Sequence, residues 1–210
     1  MPEVLEIGVA QATEDEVRRR CDAGDVHGAA TLAIQALGPE LLGFLVVLAG
    51  DPADAGDIFT DTCVRMWKGL PGFRWESSLR TWAYVLARRA FYAHRSSHAQ
   101  WRDRKVRLSD VPDVDDMIVR MRTTTLARIR GEPQTRAERL RAQLTPDEQV
   151  ILTLRLDREL EWREMARVLA DDETPDEDAL TRAAATLRKK FERIKEKLRQ
   201  LADAMAEKPE

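Results

Sequence analysis

Residues 70–92 of the 210-residue chain read LPGFRWESSLRTWAYVLARRAFY. A Pro-Gly pair followed by Ser77-Ser78 has the composition of a loop that ends at a helix N-terminus. Beyond the serines, apolar residues recur at helical spacing and no proline or glycine interrupts them. The stretch therefore predicts a loop and then a helix over about residues 78–97, rich in aromatic residues and arginines.

This loop and helix have the side chains that bind single-stranded nucleic acid. Bases stack on aromatic rings with about 1–3 kcal/mol per base, and a basic groove follows the phosphates. Small hydroxyl residues such as Ser77 and Ser78 suit a loop that holds a flipped base. For Trp82, Leu86 and Phe91, the helical spacing also fits rings and chains that simply pack inward. The aromatic residues concerned are Phe73, Trp75, Trp82, Tyr84, Phe91 and Tyr92.

Four further helices are predicted upstream. Thr13-Glu14-Asp15-Glu16 has the form of a capping box and predicts a helix start. Gly38-Pro39 predicts a break between a helix over 26–37 and a buried helix over 39–48. A helix over 52–69 follows. It has an inner side with Ile58, Cys63, Trp67 and Leu70, and an opposite side with Asp54, Asp57 and Asp61.

Downstream, the polar residues 98–140 contain several helix breakers, which predict a linker with some helix between the breaks. Thr145-Pro146-Asp147-Glu148 and Thr174-Pro175-Asp176-Glu177 both have capping-box form with proline in the first turn. They predict two helix starts, the second opening a long helix to about Ala204. A short helix over 160–169 is predicted between them.

Charge is distributed unevenly, although the net charge is only −3. Residues 1–65 hold twelve acidic residues against four arginines, whereas 74–105 and 182–199 each hold eight basic residues against two acidic ones. Such asymmetry indicates different partners for different surfaces. The sequence shows no Gly-rich phosphate loop, metal-ligand cluster or nucleophile–base set, so it predicts neither an enzyme nor a cofactor.

The cysteines and the apolar runs bear on the compartment. Cys21 and Cys63 are far apart and lack metal-binding spacing, which favours two buried thiols in a reducing cytosol. The longest apolar run, residues 41–49, is short for a bilayer span, and no signal-peptide pattern is visible. A cytoplasmic protein without membrane insertion is expected.

Two stretches of this sequence resemble the extracytoplasmic-function group of bacterial sigma factors, in the sigma-70 family. The first comprises DAGDI at 54–58, Trp67, Phe73 and SSLRTWAYVLAR at 77–88, and it resembles the family's second region. The second comprises LTP at 144–146, VIL at 150–152, EMA at 164–166 and FERI at 191–194. It resembles the fourth region, a helix-turn-helix.

The resemblance implies an all-α fold of two helical domains joined by a partly helical linker. The region 2-like domain would span 1–98, with a short N-terminal extension, the linker 99–138 and the region 4-like domain 139–206. The implied function is that of a sigma factor. It binds core RNA polymerase, recognises promoter DNA and assists duplex opening, while nucleotide addition belongs to the polymerase.

The resemblance also implies three sets of contacts. The promoter-melting set is Arg74, Trp75, Ser77, Ser78, Arg80, Thr81, Trp82, Tyr84, Arg88, Arg89 and Arg95. The helix-turn-helix set, which suits the major groove, is Arg163, Thr186, Arg188, Lys189, Lys190 and Arg193. The set that docks on the β′ clamp helices is Asp54, Asp57, Thr60 and Asp61. The β subunit is a further implied partner, and an anti-sigma factor is possible.

The sequence departs from the family pattern at Thr60, Cys63 and Arg89, where the family usually has Gln, Phe and Asn, and in two further places. Gly56 stands where the family usually has an acidic residue, and six acidic residues lie within 171–178, where the family has a short turn. An acidic approach to the recognition helix would repel phosphate. Two alternatives therefore stay open, a helix-turn-helix regulator with a partner-binding N-terminal domain and an interaction protein derived from a sigma scaffold.

Overall fold

The computed structural model describes residues 2–96, 115–131, 135–170, 172 and 175–206. All regular structure in these residues is helical, which confirms the all-α prediction. A 3-10 turn at Leu70–Gly72 follows the third helix, and a π turn at Thr153–Asp157 follows the seventh. The helices are α1 (Pro2–Asp22), α2 (Val26–Ala49), α3 (Pro52–Gly69), α4 (Leu79–Ser96), α5 (Asp115–Gly131), α6 (Arg136–Arg141), α7 (Pro146–Leu152), α8 (Trp162–Val168) and α9 (Glu177–Ala206).

The N-terminal module, α1–α4, is built around α2. This helix packs against α1, α3 and α4, and α5 also lies on it. Its buried side chains include Ile34, Leu41, Phe44 and Leu45, all fully shielded from solvent. Each such side chain stabilises the fold by about 1.5–3 kcal/mol relative to exposure, so α2 holds the module together.

The predicted break at Gly38-Pro39 is wrong, because α2 continues through both residues. A proline inside a helix removes one hydrogen bond and costs about 3 kcal/mol. Burial on both sides of Pro39 outweighs that loss. Gly38 is itself buried, and a Cβ there would meet the sulfur of Met121 and the ring of Phe59. The sequence suggested that Gly38 ends a helix. The structure shows instead that a glycine is needed there because Met121 and Phe59 pack closely against it.

Because α2 is continuous, the apolar segment is longer than the run of residues 41–49 that the sequence analysis considered. Its 24 residues make it long and apolar enough to cross a membrane, judged by length and composition alone. The core helix of a folded protein has the same properties. In this structure α2 packs against α1, α3, α4, α5 and α7, as a core helix does.

The predicted helix start at Thr13 is wrong as well, because α1 already begins at Pro2. Glu14 of that motif makes a contact with α4 instead of starting α1. Glu14 Oε2 accepts a hydrogen bond of 2.8 Å from the backbone N–H of Leu79, the first residue of α4. Helix N-termini leave backbone N–H groups without intrahelical partners. Glu14 therefore caps α4 from a distance and fixes where the aromatic helix begins.

The C-terminal module, α6–α9, follows the sequence prediction more closely. The capping box at Thr145 and Glu148 is confirmed, with Pro146 at the first turn of α7. The long α9 begins at Glu177, and Asp176 Oδ1 accepts from the N–H of Ala179. Asp176 is thus the residue that caps α9, and the predicted cap Thr174 lies outside the described residues.

Glu148 ties α7 to α9 as well as capping α7. Lys197 Nζ donates to Glu148 Oε2 at 2.7 Å, and the N–H of Thr145 donates to the same oxygen at 2.8 Å. The Lys197 ammonium and the Thr145 N–H lower the pKa of this carboxyl from its ordinary value of 4.5. A carboxyl with a depressed folded-state pKa stabilises the fold above its unfolded pKa, and that stabilisation is lost as the pH falls.

Replacing Glu148 by Gln is therefore expected to lower the free energy of unfolding by up to about 1 kcal/mol near pH 7, since the amide keeps the cap but not the charge. The difference from the wild type should shrink as the pH falls below about 4 and vanish where Glu148 is protonated. Urea denaturation at several pH values measures this. Glu196→Gln, on the exposed pair with Arg199, is the control, and an equal pH dependence in both variants would contradict the assignment.

Candidate nucleic-acid interface

Three aromatic rings lie together where the loop meets α4, two from the loop and one from the helix. The Phe73 ring lies 4.8 Å from the Trp82 ring in a stacked arrangement and 4.8 Å from the Trp75 ring. Arg18 of α1 lies over Trp75, with its guanidinium carbon 5.4 Å from the ring centre. Trp75 has a φ of 58°, in the left-handed region that side chains other than glycine rarely adopt. Such strain is found preferentially at functional sites.

Three hydroxyl groups lie at the start of α4. Ser78 Oγ accepts from the backbone N–H of Thr81 at 3.1 Å and donates to Thr81 Oγ1 at 2.8 Å. Ser78 therefore caps the helix together with Glu14. Thr81 is buried, whereas Ser77 and Ser78 are half-buried. The predicted pair of serines is thus at the loop–helix junction, as the sequence suggested.

The predicted arginines have different environments. Arg80 makes two hydrogen bonds of 2.9 Å to the carboxylate of Glu40 on α2. Burial lowers the pKa of this guanidinium, but the Glu40 hydrogen bond and charge raise it above its ordinary value. Arg88 stacks on Tyr92, with its guanidinium carbon 4.7 Å from the ring centre. Arg74 and Arg95 are exposed, and Arg89 is half-buried.

Tyr84 does not belong to this surface. Its side chain is fully buried and its ring meets that of Phe44 edge-on at 5.1 Å. Burial raises the pKa of the Tyr84 phenol, and its hydroxyl has no hydrogen-bond partner among the described residues. The expectation that Tyr84 contacts DNA is wrong in this structure, because the residue lies on the inward face of α4.

The alternative that Trp82, Leu86 and Phe91 pack inward is correct in part. Phe91 is buried, while Trp82 and Leu86 are partly buried against the core. Trp82 therefore supports the loop through its stacking on Phe73.

The acidic residues of α3 differ in their exposure to solvent. Asp54 and Asp57 have about half of their side chains exposed, whereas Asp61 has 9%. Asp61 is held by Arg65, whose Nε donates to Asp61 Oδ2 at 2.7 Å, and Thr60 donates its hydroxyl to the carbonyl of Gly56. The expected acidic stripe is thus reduced to Asp54 and Asp57.

The basic residues of α9 form an exposed face. Five predicted contacts of this helix are exposed to solvent, namely Thr186, Arg188, Lys189, Lys190 and Arg193. Arg188 lies over the ring of Trp162 on α8, at 5.9 Å, and Trp162 in turn meets Phe191 at 5.5 Å. These aromatic contacts hold α8 and α9 together with the basic face outward.

The acidic first turn of α9 is paired with arginines of the neighbouring helix. Glu177 forms ion pairs with Arg163 and with Arg167, the latter at 3.6 Å. The negative charge that would repel phosphate is thereby partly neutralised within the module. Arg163, which the sequence analysis assigned to the DNA contacts, is therefore ion-paired with Glu177 in this structure.

Four residues of the interface were not predicted from the sequence. Glu40 binds Arg80, and Glu164 accepts from Thr81 Oγ1 at 2.8 Å. Arg167 donates to the carbonyl of Glu76 at 2.7 Å, and Arg122 pairs with Asp57 at 3.0 Å. The partners in these contacts are 40 to 91 positions apart in the sequence, and local periodicity gives no signal for them.

No group of three or more metal-ligating side chains occurs in the described part of the chain. Cys63 is buried in the α3 core, and burial raises the pKa of its thiol. Cys21 is only partly buried, and its thiol pKa is raised by burial and by Asp22 and Asp25. Both thiols are thus less reactive than an exposed cysteine.

The geometry coincides with a family match. Residues 33–102 match the family model described as Sigma-70 region 2, and this range includes most of α2, all of α3 and α4, and the loop between the latter two. The match supports a member of the sigma-70 family. Neither a curated protein nor a solved structure matches the chain.

Proposed function

We propose that this chain is a sigma factor of the extracytoplasmic-function type, which binds core RNA polymerase and opens promoter DNA. One observation carries the proposal. The region 2 match ends just beyond α4 and contains the aromatic loop, the hydroxyl cluster and the arginines of that helix. A sigma-70 region 2 domain is associated with core binding and promoter melting.

The aromatic loop is the part proposed to hold opened DNA. Phe73 and Trp75 are the rings proposed to stack on bases, Trp75 on the face that Arg18 now covers. Arg74 and Arg95 are exposed cations for the phosphates. Ser77 lies next to them at the loop–helix junction. This combination favours single-stranded over duplex DNA, because a stacked duplex does not present its base faces.

The C-terminal module is proposed to read duplex DNA upstream, as a helix-turn-helix. The exposed basic face of α9 suits a major groove, in which arginine and lysine bind guanine edges or phosphates. The connection between α8 and α9 spans residues 169–176, so the basic residues lie several turns inside α9 rather than at its start. We therefore propose phosphate contacts, more than base contacts, for this face.

The remaining features follow from the same proposal. A sigma factor has no reaction of its own and needs no cofactor, because the polymerase adds the nucleotides. Its partners would be the β′ clamp helices, the β subunit and promoter DNA, and its compartment the cytoplasm. A helix-turn-helix regulator and a sigma-derived interaction protein are the competing functions.

A run-off transcription assay with core polymerase and promoter-containing fragments tests the proposal. A sigma factor co-elutes with the polymerase and gives discrete transcripts. A regulator would bind duplex DNA alone without co-elution, and an interaction protein would co-elute without a specific transcript. Either of these last results would refute the proposed function.

Asp57→Arg is expected to lower the affinity for core polymerase by at least about tenfold, since it places a cation where the proposed partner surface is basic. Asp57 is half-exposed and pairs with Arg122, so the change also places two like charges together and should lower the thermal midpoint slightly, without unfolding the chain. Pull-down with polymerase measures the loss. Asp203→Arg makes the same change at an exposed position of α9, and equal retention of both variants would remove the assignment of α3 to docking.

A further inference from the structure

Helix α1 lies against the aromatic loop and against the start of α4. Glu14 accepts a hydrogen bond from the backbone N–H of Leu79 at 2.8 Å, and Arg18, four residues further along α1, covers the ring of Trp75. Residues four positions apart lie on the same face of a helix. One face of α1 therefore follows the proposed melting surface, although the predicted DNA contacts include no residue of this helix.

The three consecutive arginines of α1 have different partners. Arg19 and Arg20 both form ion pairs with Glu16. Arg18 is exposed, and its charge has no carboxylate partner among the described residues. Its guanidinium carbon instead lies 5.4 Å from the centre of the Trp75 ring. The charges of α1 thus account for two of these arginines but leave the guanidinium of Arg18 to the aromatic loop.

The backbone that carries Arg18 is fixed relative to the loop. The preceding residue, Val17, is fully buried, and Arg20 donates to the carbonyl of Gly28 in the first turn of α2 at 3.3 Å. Together with the contact of Glu14 with α4, these contacts hold this turn of α1 in place. The side chain of Arg18 is long and exposed, so its guanidinium can move while its backbone stays fixed.

Trp75 turns one face of its ring to this guanidinium. The Phe73 ring lies 4.8 Å from the Trp75 ring at an angle of 50° and supports it from the loop. A base that stacks on Trp75 therefore enters on the side that Arg18 covers. Stacked planes lie about 3.5 Å apart, so a base between ring and guanidinium needs about 7 Å. Arg18 would have to move outward by about 2 Å from its present 5.4 Å.

A guanidinium plane and an indole ring are suited to hold an unpaired base between them. Bases of single strands stack both on aromatic rings and on arginine planes. The guanidinium is also a cation, so it can bind the phosphate next to the base that it covers. Every base has a face that stacks, so such a site accepts any base.

We propose that Arg18 of α1 and Trp75 of the aromatic loop form a slot for one unpaired base of the opened strand. This inference rests on the proposed function for the identity of that strand. Arg18 covers the ring in the free chain, moves outward when a base enters and then stacks on the outer face of that base. Helix α1 thereby becomes part of the site that holds single-stranded DNA.

The neighbouring arginines supply a matched pair of variants. Arg18→Ala removes one wall of the slot, whereas Arg19→Ala removes an arginine of the same helix that is paired with Glu16. Both side chains are exposed, so both variants should keep a thermal midpoint close to that of the wild type.

The probe is an oligothymidylate that carries one 2-aminopurine, a base whose fluorescence falls when it stacks. Its binding to the full chain should weaken about 5- to 30-fold in Arg18→Ala and by less than about twofold in Arg19→Ala. In the complex with core polymerase, permanganate footprinting should show the open-complex yield falling by about the same factors. Equal losses in the two variants, or tighter binding by Arg18→Ala, would overturn the slot.

Two further variants separate stacking from a simple phosphate contact. Arg18→Lys keeps the charge but not the plane, so it should lose most of the affinity that Arg18→Ala loses. In a Trp75→Gly background, Arg18→Ala should have no further effect, because the slot has already lost its other wall. A lysine variant that binds as tightly as the wild type, or losses that add in the double variant, would contradict the proposal.

Run-off transcription reports on the proposed function separately. Transcripts from the wild type, with equal DNA binding by Arg18→Ala and Arg19→Ala, would leave the sigma function standing and refute the slot. A loss of binding confined to Arg18→Ala, without transcripts from the wild type or any variant, would support the slot and refute the function.

Discussion

Truncating Tyr84 to alanine is expected to lower the free energy of unfolding by about 3–5 kcal/mol. The side chain is fully buried and packs edge-on against Phe44 of α2. Its removal leaves a cavity between the two helices that hold the N-terminal module together. Losses of this size take up much of the stability of a domain. Urea denaturation followed by circular dichroism measures the change.

Tyr84→Phe separates a core role from a DNA role. The buried hydroxyl has no hydrogen-bond partner among the described residues, and an unsatisfied buried polar group costs about 1–3 kcal/mol. The phenylalanine variant should therefore be as stable as the wild type or more stable by about 1 kcal/mol, with unchanged transcription. A stable Tyr84→Phe protein that fails to open promoters would instead return Tyr84 to the DNA surface.

The sequence contained the signal that identifies Tyr84 as a core residue. Ala83, Tyr84, Ala87, Ala90 and Phe91 recur at the helical spacing, and all five are buried. Composition drew attention to the tyrosine as an aromatic among arginines, whereas its position in this stripe determines where it points. Periodicity is the better guide here, because a helix buries one face regardless of the chemistry of the other.

Helix boundaries were predictable where local chemistry determines them. The helix expected over 52–69 is α3 to the residue, since Asp51 caps it and Pro52 begins it. The break expected at Gly38-Pro39 is absent, because burial around Gly38 outweighs the local preference of proline. Local rules therefore failed where packing from Phe59 and Met121, distant in sequence, supplied the larger energy.

The residue types of the functional surface could be predicted from the sequence, but the contacts between those residues could not. The loop, Ser78 and the arginines of α4 follow from spacing and residue type. That Glu164 would bind Thr81, 83 positions away, does not follow from any local pattern. Contacts of this kind depend on how two modules dock, and docking is set by surface shape and charge distributed over several helices.

Trp75 offers the sharpest test of the proposed melting loop, because its backbone conformation destabilises the fold while the contacts of its ring stabilise it. At a φ of 58° a tryptophan is strained by about 1–2 kcal/mol relative to glycine. Its ring packs on Phe73 and under Arg18, contacts that contribute about 0.5–1.5 and 0.5–1 kcal/mol. The two effects nearly cancel, so the residue contributes little net stability.

Trp75→Gly is therefore expected to leave the free energy of unfolding within about 1 kcal/mol of the wild type while impairing promoter opening. Loss of one stacked base removes about 1–3 kcal/mol, which corresponds to a loss of about 5- to 150-fold in open-complex yield. Permanganate footprinting of the opened strand measures the yield. Folding is checked by denaturation under the same buffer conditions.

Two matched variants complete the argument at this position. Trp75→Ala loses the ring and keeps a side chain at positive φ, so it should be about 1 kcal/mol less stable than Trp75→Gly with the same defect in opening. Trp75→Phe keeps an aromatic face and should retain most of the opening. If glycine and phenylalanine variants opened promoters equally well, the ring would have no contact with the melted strand, and the strained loop would need another explanation.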